Sequence, residues 1–267
     1  MRTFFYLVLL FMVCSCATTD LKKLSEKSHK HQMKEFVSTL KKQEPKILDS
    51  VATSYFTPTI NFNLRKPNFV IIHHTAQDSL AQTLKTFRLQ KTQVSSHYVI
   101  GDDGQVVQML NDYMRAWHAG NAKWGGTTDI NSASIGIELD NNGNEPFSEA
   151  QIKSLLKLLE KLKKAYNIPT QNFIGHGDIA PERKSDPSAL FPWKTLSKKG
   201  FGIWPNDEIL PAPENFDYLL ALRLIGYDIK NNSSAVIAFK RHFIQTDLTD
   251  VVDETTKNMI FAVFSKL

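Results

Sequence analysis

Cysteine is scarce in this 267-residue chain: there are two, Cys14 and Cys16, both near the start. Everything after them has no thiol and cannot form an internal disulfide, so it must be held by its core. Long apolar runs are lacking too. The run Phe4 to Val13 is well short of the about 20 residues that a membrane-crossing helix needs. With Arg2 before it and small residues after it, it reads as a signal peptide over residues 1–15. The remaining length, at 42% hydrophobic residues, supports one medium domain and one small one. A net charge of +5 and a pI near 9.0 raise nucleic acid as a partner. The lysines are spread through the chain and the leader points out of the cytoplasm, so we expect no nucleic-acid partner. An anionic polymer or lipid surface is sufficient for that charge.

What is present concentrates in Gly175-His176-Gly177-Asp178-Ile179-Ala180-Pro181-Glu182-Arg183-Lys184-Ser185-Asp186-Pro187. Glycines and prolines exclude regular structure there, and imidazole, ammonium and carboxylate share one irregular loop of the kind that carries catalytic groups. In extended backbone Lys184 and Asp186 would face the same side. Upstream, Phe69-Val70-Ile71-Ile72-His73-His74-Thr75 reads as a buried strand ending in histidines. Successive strand residues face opposite ways, so at most one of His73 and His74 joins a metal. Two histidines and an aspartate are a common ligand set for an open catalytic zinc. A third strand, Ser134-Ile135-Gly136-Ile137-Glu138-Leu139, carries an acid among apolar residues. Glu138 is either a solvent-facing strand-end acid or a general base tuned by a partly apolar site.

Together Val70-Ile71-Ile72-His73-His74-Thr75-Ala76, Ser96-His97-Tyr98, Trp117-His118-Ala119-Gly120, Ser134 to Glu138, Gly175-His176 through Asp186-Pro187, and Leu190-Phe191-Pro192-Trp193 resemble the type-2 N-acetylmuramoyl-L-alanine amidases. The order of the motifs over residues 52–205 carries that resemblance, and the chain as a whole is similar to the family's lipoprotein branch. The resemblance implies a zinc enzyme that cuts the amide between the lactyl group of N-acetylmuramic acid, in its ordinary or 1,6-anhydro form, and the L-alanine of the peptidoglycan stem peptide. It implies zinc ligands His73, His176 and Asp186, with Glu138 moving the proton. Lys184 would stabilise the oxyanion, against the plain alternative of a solvated surface lysine. His97 reads as structural support. His118 is expected to line the substrate groove, and Trp117 reads equally as a sugar-covering aromatic or a core residue. His29, His31 and His242 lie outside the motifs and are expected at the surface.

Val13-Cys14-Ser15-Cys16 resembles a bacterial lipobox cleaved before Cys16, with lipid on its sulfur; Ala17 in place of Asp points to an outer membrane lipoprotein facing the periplasm. We expect a lipidated polar tether with transient helix over 16–51, the zinc amidase domain over 52–205, and a helical peptidoglycan-binding-like domain over 206–267. The fold class expected is α/β, a mixed β-sheet flanked by helices, plus a small three-helix domain. Strands are expected near 69–74, 97–100, 105–110 and 134–139, and helices over Leu80–Leu89 and Phe147–Tyr166. Ser148 and Gln151 make a capping-box pattern, and Leu155, Leu158, Leu159 and Leu162 a buried stripe. In the C-terminal module one face each is expected from Phe216, Leu219, Leu220 and Leu224, from Val236, Phe239 and Phe243, and from Met259, Ile260, Val263 and Phe264. From Pro213 on, about 55 residues with three helices are few for independent stability, so the module should dock on the core. A monomer with peptidoglycan and muropeptides as partners follows.

Two other classes compete with an enzyme: a non-catalytic peptidoglycan recognition protein on the same fold, and a lipoprotein that only links membrane to wall. Recognition-only relatives tend to lose a metal ligand, and here the whole set is present. Because no other long apolar segment follows the leader, Cys16→Ala should release the protein from the membrane fraction. Retention of that variant in high salt would refute lipid anchoring at Cys16.

Overall fold

The computed structural model describes residues 2–42 and 64–267, which divide between two compact units. The first unit, which also takes in Arg88–Lys91, contains helix α1 (Arg2–Lys42), running through the leader and much of the segment expected to be a tether. Its Lys, Glu, Gln, Leu and Met are strong helix formers, and neither Gly nor Pro interrupts them. Leu24, Phe36 and Leu40 stand exposed on it, and His29 and His31 face solvent as expected, His31 meeting Glu35 one turn on at 3.2 Å. Among the described residues no helix is long and apolar enough to cross a membrane. Residues 43–51 of the expected tether, residues 52–63 of the expected amidase domain and the side chain of Cys16 lie outside the described residues.

The second unit is built on a five-stranded sheet of β1 (Phe69–His74), β2 (Tyr98–Ile100), β3 (Val106–Gln108), β4 (Ser134–Leu139) and β5 (Phe173–Gly175), in the order β3-β2-β4-β1-β5. All neighbours are parallel except the β2–β3 hairpin. Four strands fall on runs expected to be extended. The fifth, β5, is three residues long, too short to show a period.

Alternation along β1 and β4 gives the sheet two unlike faces. Val70, Ile72, Ile135, Ile137 and Leu139 pack on one side with Leu155, Leu159 and Leu162 of α4 (Glu149–Tyr166). The Ser148 hydroxyl accepts from Gln151 N–H at 3.1 Å, as an N-cap should. Gln151 does not reach back. Its amide instead donates to the carbonyls of Ile100 and Asp140, 3.0 Å each, tying α4 to two strand ends. Phe69, Ile71, Ala119, Ile130 and Ile174 cover the other side, Ile130 coming from the four-residue α3 (Ile130–Ala133) just before β4; α2 (Leu80–Arg88) lies between β1 and β2 in the chain.

After the short helices α5 (His176–Ile179) and α6 (Trp193–Ser197) come α7 (Tyr218–Ile225), α8 (Asn232–Phe243) and α9 (Glu254–Phe264). Each of these last three is opened by a side-chain cap, from Asp217, Asn231 and Asp253. Their shared core takes in Trp124, Ile203 and Trp204, so the module docks on the sheet domain as expected. Val236, Phe239 and Phe243 are buried, as are Ile260 and Val263. Of the face expected for α7, Phe216 packs on the shared core, but Leu220 and Leu224 are exposed, and Ala221, Leu222 and Ile225 point inward instead. That helix is apolar nearly all round, so spacing alone does not choose its buried side.

Candidate metal centre

Three parallel strands finish at one edge of the sheet. The register pairs His73 of β1 with Glu138 of β4, and Ile72 with Gly175 of β5, so that His176 follows beside His73. The carboxyl ends of parallel strands are where open α/β sheets bind ligands. His73 shares the face of Phe69 and Ile71, and His74 turns the other way, its Nδ1 accepting from Ser188 N–H at 3.2 Å. One member of the pair therefore enters the site. The loop after α5 returns Asp186 to the same place, with Gly177 N–H bonded to the Asp186 carbonyl at 2.7 Å. His73 Nδ1 and His176 Nδ1 come within 2.9 Å, and each lies 3.1 Å from Asp186 Oδ2. Glu138 Oε1 is 3.9 Å from His73 Nδ1. Among the described residues this is the one cluster whose donor atoms could share a metal ion.

The hydrogen bonds behind the cluster fix where its protons are. Ile130 C=O accepts the Ser134 hydroxyl at 2.6 Å, leaving Ser134 Oγ to accept His118 Nε2–H at 3.1 Å. His118 Nδ1 then accepts from His73 Nε2–H, also at 3.1 Å. On the other side His176 Nε2–H donates to the Ala119 carbonyl at 3.1 Å. With both Nε2 atoms donating outward, each ring in its neutral form would turn a bare Nδ1 lone pair inward, toward the other and toward a carboxylate oxygen. That acceptor set fits a cation. Tetrahedral zinc with bonds of about 2.0–2.1 Å holds its ligand atoms roughly 3.3 Å apart, close to the spacing of these three atoms.

His118 is therefore not a groove residue. It is buried, both ring nitrogens are engaged within the protein, and it orients His73 from behind. Gly136 makes this possible, because a Cβ there would stand 2.5 Å from His118 Cγ. Asn131 Oδ1 holds the His118 and Ala119 N–H groups at 3.0 and 2.9 Å, and Arg183 Nη2 donates to the same Ala119 carbonyl at 2.7 Å. His97 is structural, as expected, bridging Met114 C=O and Gly136 N–H at 3.0 Å each. Trp117 is exposed, which removes the core alternative. Lys184 N–H bonds to Ala180 C=O in a turn rather than extended backbone, yet its charge still acts on Glu138 and His73. His242 is buried, against expectation. Asn131, Ser134 and Arg183 carried no signal of their own; only the alternation Ser134, Gly136, Glu138 on one strand face was readable.

Burial, reinforced by the neighbouring His176, pushes the His73 imidazole down to about 4, so it is neutral at pH 7. Burial pushes the Glu138 carboxyl up to about 8; Asp186 adds to the shift and the Lys184 ammonium opposes it. A carboxyl balanced near neutrality beside a metal cluster is suited to taking and returning a proton.

Residues 63–189 match the family described as N-acetylmuramoyl-L-alanine amidase. N-acetylmuramoyl-L-alanine amidase AmiD of Escherichia coli is 34% identical over 229 residues, covering 74% of this chain and 82% of that protein. The 1,6-anhydro-N-acetylmuramyl-L-alanine amidase AmpD of Haemophilus influenzae is 38% identical over 107 residues, 40% of this chain and 58% of the relative. Among solved structures, E. coli AmiD in complex with the substrate anhydro-N-acetylmuramic acid-L-Ala-D-gamma-Glu-L-Lys superposes with a TM-score of 0.69. The identity is 31%, over 78% of this chain and 93% of that one. AmpDh3 of Pseudomonas aeruginosa gives 0.69 at 28% identity, over 82% and 99%.

Two measurements check this site. Glu138 lowers stability as it ionises in the metal-free protein: its contribution is intact below the ordinary 4.5 and is lost as pH rises through about 8. Metal-stripped Glu138→Gln should therefore gain Tm over the wild type as pH rises across that window; a constant difference would refute the shifted carboxyl. Gly136→Ala should displace His118 and weaken zinc binding about tenfold, read by titration against a chelator, and unchanged affinity would refute support through His118.

Proposed function

The chain belongs to the N-acetylmuramoyl-L-alanine amidase family, and from that premise we propose a zinc-dependent enzyme that hydrolyses the amide between N-acetylmuramic acid and the L-alanine of the stem peptide. The observation that carries the reading is the convergence of His73 Nδ1, His176 Nδ1 and Asp186 Oδ2 with Glu138 alongside. The anhydro-muropeptide named in the E. coli AmiD complex supports a substrate that includes the 1,6-anhydro form.

His73, His176 and Asp186 would hold the ion through two neutral imidazoles and one carboxylate. Bound there, zinc supplies Lewis acidity toward the scissile carbonyl and lowers the pKa of water to about 7. Glu138 takes the proton from the attacking water and returns it to the departing L-alanine amine. The Lys184 ammonium balances the negative charge that develops on the carbonyl oxygen. Exposed Trp117 offers an aromatic face to the sugar. Cys16 would carry lipid and hold the enzyme, as a monomer, on the periplasmic face of an outer membrane, with the C-terminal helices contacting the wall.

Chelation should abolish hydrolysis of soluble anhydro-muropeptides, followed by mass spectrometry, and zinc should restore it; full activity in a metal-free sample would refute the mechanism. Glu138→Ala should keep zinc and fold while losing about 100-fold or more in rate. Near wild-type turnover by that variant would place the base elsewhere.

A further inference from the structure

Asp178 lies two residues after His176 and supplies nothing to the metal cluster, yet its carboxylate is buried and takes three hydrogen bonds. Oδ2 accepts from Gly175 N–H and from His242 Nδ1–H, 2.8 Å each, and Oδ1 accepts from the Tyr227 hydroxyl at 2.8 Å. The first bond is local and closes the turn that presents His176. The other two cross from the C-terminal helices, Tyr227 following α7 and His242 lying in α8.

The same helices grip the rest of the ligand loop. His242 stacks on Trp193 with centroids 3.9 Å apart and planes at 13°. Gln245 Nε2 donates to Phe191 C=O at 2.7 Å, and Arg241 Nη1 reaches Lys184 C=O at 3.5 Å. Glycines permit the approach: a Cβ on Gly177 would stand 2.9 Å from Arg241 Nη1, and one on Gly175 3.1 Å from Asp178 Oδ2. A four-residue helix such as α5 has no stability of its own, so its orientation must come from outside. Apolar packing can dock the module but is non-directional. A buried carboxylate with three aimed donors fixes direction, and losing one donor leaves a costly unpaired site. Since Gly177 N–H is bonded to Asp186 C=O, turning α5 would move His176 and Asp186 together.

We propose that Asp178, Tyr227 and His242 are positioning residues, a buried polar clamp through which the C-terminal helices hold His176 and Asp186 at ligand spacing. The module is then part of the scaffold of the metal centre and not only a wall-binding or stabilising attachment. This rests on His73, His176 and Asp186 being the zinc ligands.

The test is made on the full chain, measuring the zinc Kd by competition with a chromophoric chelator and the Tm of the metal-free protein. His242→Ala should raise the zinc Kd about tenfold, and His242→Asn, whose amide N–H can stand in for Nδ1–H, should recover most of that loss. Tyr227→Phe removes only a hydroxyl, keeps the fold, and should weaken zinc in the same direction by less. Val263→Ala, inside the helical core on α9, should lower Tm with the zinc Kd unchanged. Equal zinc loss in Val263→Ala and His242→Ala at equal loss of Tm would overturn the clamp, as would identical Kd values for the Asn and Ala variants or for Tyr227→Phe and wild type. A wild type that binds no zinc would overturn the ligand assignment and the clamp with it, whereas tight zinc in every variant would overturn the clamp alone.

Discussion

Three lone pairs about 3 Å apart, with no hydrogen between them, repel one another unless a cation takes the centre, and much of the surrounding structure exists to keep them there. Each imidazole is held by the proton on its far nitrogen. For His176 that proton goes to a backbone carbonyl, which cannot change its role as acceptor. For His73 it passes to His118, whose own proton passes to Ser134, and the chain ends on Ile130 C=O. Both lines finish on main-chain acceptors, so neither ring can invert its tautomer without orphaning a buried group.

The sheet makes this economical in residues. One face of β1 and β4 is left to ordinary apolar packing against α4, while the other carries His73, Ser134, Gly136 and Glu138. Parallel register brings the carboxyl ends of β1, β4 and β5 to a common edge. Gly136 is as much a part of the arrangement as the ligands, since its missing side chain is the space in which His118 lies.

Residues that act through strand alternation or through a contiguous loop could be read from the sequence. His73 against His74, Glu138 within an apolar strand, and His176 with Asp186 in a Gly- and Pro-punctuated segment all carried local signals, although that segment is not irregular throughout as expected, since Gly175 ends β5 and His176 opens the single-turn α5. The C-terminal docking followed from the module's small size. What escaped reading depends on distant pairings. His242 meets a carboxylate 64 positions away, and from its neighbours alone it looked like a surface residue. His118 sits beside exposed Trp117, which suggested a groove, whereas in the loop that carries both, Trp117 stands in solvent and His118 is buried. The face of α7 was ambiguous because too many of its positions are apolar, and β5 was hidden by its brevity.

The proposed ligands present nitrogen and oxygen, with no sulfur among them. A thiolate site changes when its sulfur is oxidised, so its occupancy follows the redox poise of its surroundings. Here peroxide and disulfide exchange have nothing to act on at the centre, and assembly depends on protons and on the supply of ion. The same donors do not discriminate by softness among first-row divalent metals, for which intrinsic affinity favours copper over zinc. The identity of the ion held in a cell is then decided by geometry and by which metal the compartment makes available.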